Sequence, residues 1–243
     1  MIKTAHINIL EGATVTLAAN SHEPGYPLYR LYDRNTGRMF RALDAAPTEI
    51  AIDQGALDIK SADTLLIAAG HNLAGATLTL SYSDDAIDYT ECVSFTAAAG
   101  VIEAAWGAVS KRYWKLAITS PAEPPAMAEL FITSASSFAR RPLRASGPFD
   151  DEPNTITRRT SGGSCRALVM GPCRRQRPYF MRIGEAERAA LDALWAACAG
   201  GVPFWICDHE GQWIFGYLAS APGTKEIVPG VYTIDFNFTE ALP

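Results

Sequence analysis

Thr77-Leu78-Thr79-Leu80-Ser81-Tyr82-Ser83-Asp84-Asp85-Ala86-Ile87-Asp88-Tyr89-Thr90 is the stretch on which the fold turns. In an extended chain Leu78, Leu80 and Tyr82 fall on one face and Thr77, Thr79 and Ser81 on the other, the signature of a strand in a half-buried sheet. Ser83-Asp84-Asp85 then ends the strand, because short polar side chains bond their own backbone and favour a turn over a continued ladder. A further strand, 113–119, opens behind Lys111-Arg112 and continues Tyr113-Trp114-Lys115-Leu116.

Outward from this pair, whose first strand is bounded at 76–82, the segments 14–18, 48–52, 64–69, 91–96 and 128–133 read as further short strands separated by turn signals, the pattern of an all-β sandwich. Ser120-Pro121-Ala122-Glu123-Pro124-Pro125 lacks the donors for a ladder and is expected to be a loop. Arg141-Pro142, Gly147-Pro148 and Asp150-Asp151-Glu152-Pro153 punctuate a connector over 139–160, so the chain divides into a sandwich at 1–138 and a second unit at 139–243. The fold class expected is mainly β: a jelly-roll sandwich, then a smaller β-rich α+β module with one helix.

That helix is placed at 185–199. Ala189, Leu191, Leu194, Trp195 and Cys198 recur at helical spacing, Glu185 and Glu187 occupy the first turn, and Gly200-Gly201 closes it. Before it, 165–170 and 178–182 read as a hairpin about Gly171-Pro172; after it, 203–207 and 212–219 flank the turn Asp208-His209-Glu210-Gly211. Strands 225–228 and 231–238 flank Pro229-Gly230, with Tyr232, Ile234, Phe236 and Phe238 sharing one face.

Length and composition agree. The 243 residues are 48% hydrophobic and 19% charged, enough for two units that each bury a core and far from the composition of a disordered chain. No apolar run reaches the roughly 18 residues of a membrane-spanning helix, and no targeting signal is read at the start, so no membrane insertion is expected. Five cysteines, none at paired metal-clasping spacings, read as reduced thiols of a protein made in a cytosol.

The net charge of -5 conceals a division along the chain. Residues 1–138 sum to -6, 139–188 to +6 and 189–243 to -5, and every cation of the middle segment is an arginine. Arg140, Arg141, Arg158, Arg159, Arg174, Arg175 and Arg177 carry most of it. Nucleic-acid arms mix Lys with Arg, since counterion release needs only charge; the planar guanidinium suits paired bonds to carboxylates across a protein interface. These arginines are therefore expected to face carboxylates of another subunit, not nucleic acid.

The chemistry-bearing residues are sparse. His6, His22, His71 and His209 stand apart with no HExxH, Ser161-Gly162-Gly163-Ser164-Cys165 is no nucleophile elbow, and no glycine-rich phosphate loop precedes a helix. Asp84, Asp85 and Asp88 lack the ligand set of a calcium loop and read as a solvated turn. No catalytic residue, metal or cofactor is expected. Tyr29, Tyr32, Arg41, Tyr89 and Trp106, with Tyr26, are the candidates for a glycan site, which needs an aromatic platform among fixed polar groups.

Residues 20–133 resemble the discoidin-like, galactose-binding-type sandwich through Leu28-Tyr29-Arg30-Leu31-Tyr32-Asp33 with Phe40-Arg41, Ile50-Ala51-Ile52-Asp53-Gln54-Gly55, Ala69-Gly70-His71-Asn72-Leu73, the Ser-Asp-Asp turn and Arg112-Tyr113-Trp114. Phe40 stands where that family commonly has Trp. Residues 160–240 are similar to C-terminal modules of tail proteins of tailed bacteriophages, through Leu191-Asp192-Ala193-Leu194-Trp195, Gly201-Val202-Pro203-Phe204-Trp205 and the closing strand from Gly230 to Glu240. The two resemblances together imply a distal-tail-like minor tail or baseplate component. It would be made in the host bacterial cytoplasm and built into the virion as a homo-oligomeric ring. Its partners would be the tail tube, the hub and receptor-binding parts. A glycan-binding, host-adhesion module is the alternative implied, with a host surface glycan as partner.

Overall fold

The computed structural model describes residues 1–139, 150–152, 155–159, 165–169, 174–218 and 220–241, with the backbone alone for 150–152, 155–159, 165–169 and 174–175. The protein is mainly β and divides into two compact units: Thr4–Ser136, and Met1–Lys3 together with Ser137–Leu242. The sandwich is thus wired as an insertion, because the first residues of the chain belong to the second unit.

The chain begins with β1 (Ile2–Ala5). The sandwich then runs β2 (Thr14–Ala19), a 3-10 turn at Leu28–Leu31, β3 (Phe40–Arg41), β4 (Thr48–Asp53), β5 (Ser61–Ile67) and β6 (Thr77–Ser83). It continues through β7 (Thr90–Thr96), β8 (Ile102–Ser110), β9 (Tyr113–Thr119), β10 (Ala126–Met127) and β11 (Leu130–Thr133). A five-stranded sheet, β2-β4-β9-β6-β7, faces a three-stranded sheet, β11-β5-β8, and β3 pairs with β10. This is the galactose-binding-like jelly-roll sandwich expected.

Alternation decides what it buries. Ile50, Ile52, Leu78, Leu80, Trp114, Leu116 and Ile118 point inward from one sheet, and Leu65, Ile67, Ile102, Leu130 and Ile132 from the other, all but closed to solvent. Tyr82 packs edge-on to Trp114, with ring centroids 5.9 Å apart. β8 was not expected as a strand: Ala104, Ala105, Gly107 and Ala108 have weak β-propensity, yet the strand pairs with β5.

The second unit contains β12 (Ser136–Phe138), β13 (Asp150–Glu152), β14 (Thr155–Arg159), β15 (Cys165–Val169), β16 (Arg174–Gly184), α1 (Glu185–Cys198), β17 (Phe204–Cys207), β18 (Trp213–Leu218), β19 (Gly223–Val228) and β20 (Val231–Glu240). Its large sheet has the order β12-β1-β17-β18-β20-β16-β13, with β19 also paired to β20. Leu191, Leu194 and Cys198 of α1 bury against Tyr179, Met181, Ile183, Ile234 and Phe238. Glu187 reaches back to accept from the Gly184 N–H at 2.8 Å, and Gly200 and Gly201 take φ +82 and +86 to end the helix.

The hairpin expected between 165–170 and 178–182 is not formed. β15 pairs with β14, Thr157 opposite Ala167, whereas β16 pairs along its length with β20, Tyr179 opposite Phe236. The reason is burial: Tyr179, Met181 and Ile183 are an apolar row that only the sheet carrying α1 can cover.

Candidate functional site

Asp53, Tyr113 and Ser83 lie in one register row across the adjacent strands β4, β9 and β6, so three connections emerge together at this end of the sandwich. Arg112 clamps the row, its Nε and Nη2 donating to Asp53 Oδ1 and Oδ2 at 2.7 and 2.8 Å. Hydrogen bonding to Arg112 holds the Asp53 carboxyl below the usual carboxylate range. The Arg112 guanidinium also lies over Tyr113, 4.6 Å from the ring centre, and the Lys115 ammonium sits 4.6 Å from that of Tyr89 and 3.8 Å from Glu49 Oε2.

The neighbouring turn is fixed by Asp85. Its Oδ1 accepts from the N–H groups of Ile87 and Asp88 and from the Ser83 hydroxyl, which together hold the carboxyl ionised to lower pH than usual. Burial and the nearby oxygens of Tyr113, Asp85, Glu49 and Asp53 raise the Tyr89 phenol. The group therefore brings together two tyrosine rings, each beside a cation, and ionised carboxylates.

The other glycan candidates are elsewhere. Tyr29 is half exposed on the 3-10 turn, while Tyr32 packs partly buried against the core. Arg41 lies opposite Ala126 in the β3–β10 pair and 3.6 Å from Glu23, and Arg30 covers the Tyr26 ring. These residues belong to segments leading to the Thr48–Ile118 row, the end of β4 opposite Asp53. Trp106 is no platform: it packs on the core with its ring centre 6.0 Å from that of Trp114 and donates its indole N–H to Ala62 O. The five do not converge on one site.

Of the arginines expected at an interface, Arg140 and Arg141 lie outside the described residues. Arg174 and Arg175 stand opposite Glu152 and Asp151 of the same chain, whereas Arg158 stands opposite Arg166 and Arg159 opposite Cys165. Arg177 is a correction. It is buried, and its Nη1 donates to the equally buried Asp208 Oδ2 at 2.8 Å, so its carboxylate comes from its own chain. Asp208 Oδ1 also accepts from the Glu210 and Gln212 N–H groups, which makes this pair the clamp of the β17–β18 turn.

One residue carries a signal the sequence did not. Glu129 is fully buried before β11; its Oε1 accepts from the Asn35 N–H at 2.7 Å, and Asp33 is its carboxyl neighbour. As a carboxylate Glu129 leaves its buried Oε2 without a donor, and a hydrogen bond between the Glu129 and Asp33 carboxyls needs a proton on one of them, which favours the protonated Glu129. Burial first, then Asp33, push the Glu129 carboxyl up to about 9. Among the described residues no group of three or more His, Cys, Asp or Glu is placed to hold a metal ion.

No family model matches the chain, and no curated protein matches it. Solved structures with a similar sandwich include a putative α-L-fucosidase from Bacteroides thetaiotaomicron, 18% identical over 54% of this chain and 29% of that one, TM-score 0.48. Chitosan-binding module 1 from a Paenibacillus chitosanase/glucanase is 15% identical over 53% of this chain and 100% of its own, TM-score 0.45. CpGH89CBM32-5 of Clostridium perfringens, solved with GalNAc-β-1,3-galactose, is 10% identical over 54% and 99%, TM-score 0.45. The chain spans less than a third of the fucosidase's length.

The raised Glu129 carboxyl makes stability fall with pH. The unfolded chain loses this proton near the ordinary glutamate value and the folded chain only near 9, so the cost grows across that window and reaches on the order of 3 kcal/mol at pH 7. Glu129→Gln keeps the donor to Asp33 and the acceptor for Asn35. Urea unfolding is expected to find the variant more stable than the parent by about 2 kcal/mol or more at pH 8 and equal to it near pH 4.

Proposed function

We propose that the chain is a non-enzymatic structural component of a phage tail tip or baseplate. In this reading the sheet-and-helix unit makes subunit–subunit contacts that join the tail tube to hub or receptor-binding parts, and the sandwich rides on it. The observation that carries the reading is the wiring: β1 and β12 are neighbours in one sheet, so the sandwich leaves and re-enters the second unit through adjacent strands. Such an insertion is an appendage on a base that keeps its own sheet and core.

The register of β14 and β15 supports assembly. The backbone register sets two arginines, Arg158 and Arg166, at one rung, and the acidic flanks at 1–138 and 189–243 of another copy supply carboxylates to meet such cations. Head-to-tail contact between copies closes into a ring when the rotation allows. The resemblance of residues 160–240 to phage tail modules gives that assembly its setting, the virion of a phage made in a bacterial cytoplasm.

The second reading is a glycan-binding, host-adhesion module. Tyr89 and Tyr113, each paired with a cation beside the Asp53–Arg112 clamp, favour it. Two of the similar structures are a chitosan-binding module and a module solved with a GalNAc-galactose disaccharide, but that likeness is one of fold alone. The two readings are compatible in one protein: a base that assembles and an appendage that binds.

Arg158→Glu separates assembly from folding, because at the rung shared with Arg166 it replaces like charges by opposite ones. Sedimentation of the full chain is expected to show self-association weakened at least tenfold with an unchanged or higher melting temperature; normal assembly of the variant overturns the reading. For the second, a glycan array with the full chain should give binding that is lost in the Tyr89→Ala/Tyr113→Ala variant. Binding indifferent to that variant removes this patch from consideration.

A further inference from the structure

One face of the second unit's sheet is open over β16, β20 and β19. The register sets Phe180 opposite Asp235 and Asp235 opposite Gly223; two residues along, Arg182 stands opposite Thr233 and Thr233 opposite Lys225. Because side chains alternate, these residues project from the side away from Tyr179, Met181, Ile183 and Ile234, which are buried with α1. Phe180, Arg182, Lys225, Asp235 and Asn237 are exposed. An antiparallel sheet with one face in water is ordinary, and such a face is normally polar. Phe180 departs from that, an aromatic ring 39% exposed in the middle of an 11-residue strand.

The charges around the ring depart from it too. Among the described residues neither Arg182 nor Asp235 is ion-paired, although they sit on adjacent strands two residues apart in register. The cause is visible at Gly223. A side chain there would collide with the Asp235 carboxylate, so the glycine lets Asp235 lie across β19, away from the strand that carries Arg182. Each charge is left to solvent beside Phe180. A guanidinium and a carboxylate that do not meet within one chain are suited to meet between two.

A face of this kind is its own complement. Phe180 neighbours Asp235 across the ladder and Arg182 along its own strand. A two-fold axis in the plane of the face, passing between Arg182 and Asp235, therefore lays each arginine over the other copy's aspartate and sets the two Phe180 rings against each other at the centre. We propose that this face pairs two copies of the chain about such an axis, with Phe180 as the apolar centre and two reciprocal Arg182–Asp235 contacts around it. Lys225, on the edge strand β19, keeps its ammonium in water at the rim. Three strands by three rows span roughly 10 by 15 Å. A stable dimer buries roughly 800 Å² per partner, so this contact is weak alone and adds to others within an assembly. It rests on the assembly reading and deepens it by naming a contact of its own, one that uses neither the sandwich nor the β14–β15 ladder.

The test is sedimentation equilibrium of the full chain, comparing the parent with Arg182→Asp, Asp235→Lys, the double swap Arg182→Asp/Asp235→Lys, and Phe180→Ser. Each single charge swap should weaken self-association at least tenfold, because both reciprocal contacts become like-charged. The double swap, and an equimolar mixture of the two single swaps, should restore most of it. Phe180→Ser should weaken association similarly at an unchanged melting temperature; if that variant unfolds, the charge swaps decide, since both of their positions are exposed. Single swaps that leave association unchanged, that lower the melting temperature instead, or that the double swap does not rescue overturn this contact. If Arg158→Glu still disrupts association in that case, the assembly reading stands without it. A parent that stays monomeric at every concentration overturns both.

Discussion

β1 and β12 are hydrogen-bonded neighbours in one sheet although the whole sandwich lies between them in sequence. That pairing fixes the two ends of an inserted domain about one strand spacing apart, roughly 4.8 Å, and completes a sheet that would otherwise begin at β17. Ile2 of β1 and Phe138 of β12 then enter the same core as the helix and the closing strand β20. The arrangement makes the second unit a base with its own burial and the sandwich a separate body with its own, each able to satisfy its backbone internally.

Electrostatics divides along the same line. Where arginine and carboxylate meet inside the chain, as in Arg177–Asp208 and Arg112–Asp53, the pairs clamp turns and strand ends. In the β14–β15 ladder two arginines, Arg158 and Arg166, stand opposite each other in the backbone register. The Asp53 end of the sandwich carries exposed Leu57 and Ile87 among carboxylates that outnumber the cations.

Much of the fold was legible because period-two alternation is a strong signal: Leu78 and Leu80, then Trp114, Leu116 and Ile118, and Tyr232 to Phe238 announced their strands, and Glu185 to Cys198 its helix. β1 was illegible since four residues carry little pattern and the partners are distant in sequence. β8 was hidden by its alanines and glycine, and the Gly171-Pro172 signal suggested a hairpin that burial of Tyr179, Met181 and Ile183 overrides. The site was less legible than the fold. Sequence cannot tell an arginine that meets its own chain's aspartate, as Arg177 does, from one that awaits a partner, and nothing beside Leu130-Phe131-Ile132 marked Glu129 as a buried proton carrier. Trp106 looked available for a ligand because its strand went unseen.

The central claim, that the sheet-and-helix unit is a self-sufficient assembling base on which the sandwich is an insertion, is tested most directly by replacing residues 6–135 with a short Gly-Ser turn between β1 and β12. The account predicts a shortened chain that unfolds in one cooperative transition and self-associates with the salt sensitivity of an arginine–carboxylate contact. A chain that is unfolded, or folded yet without any self-association under conditions where the parent associates, contradicts it.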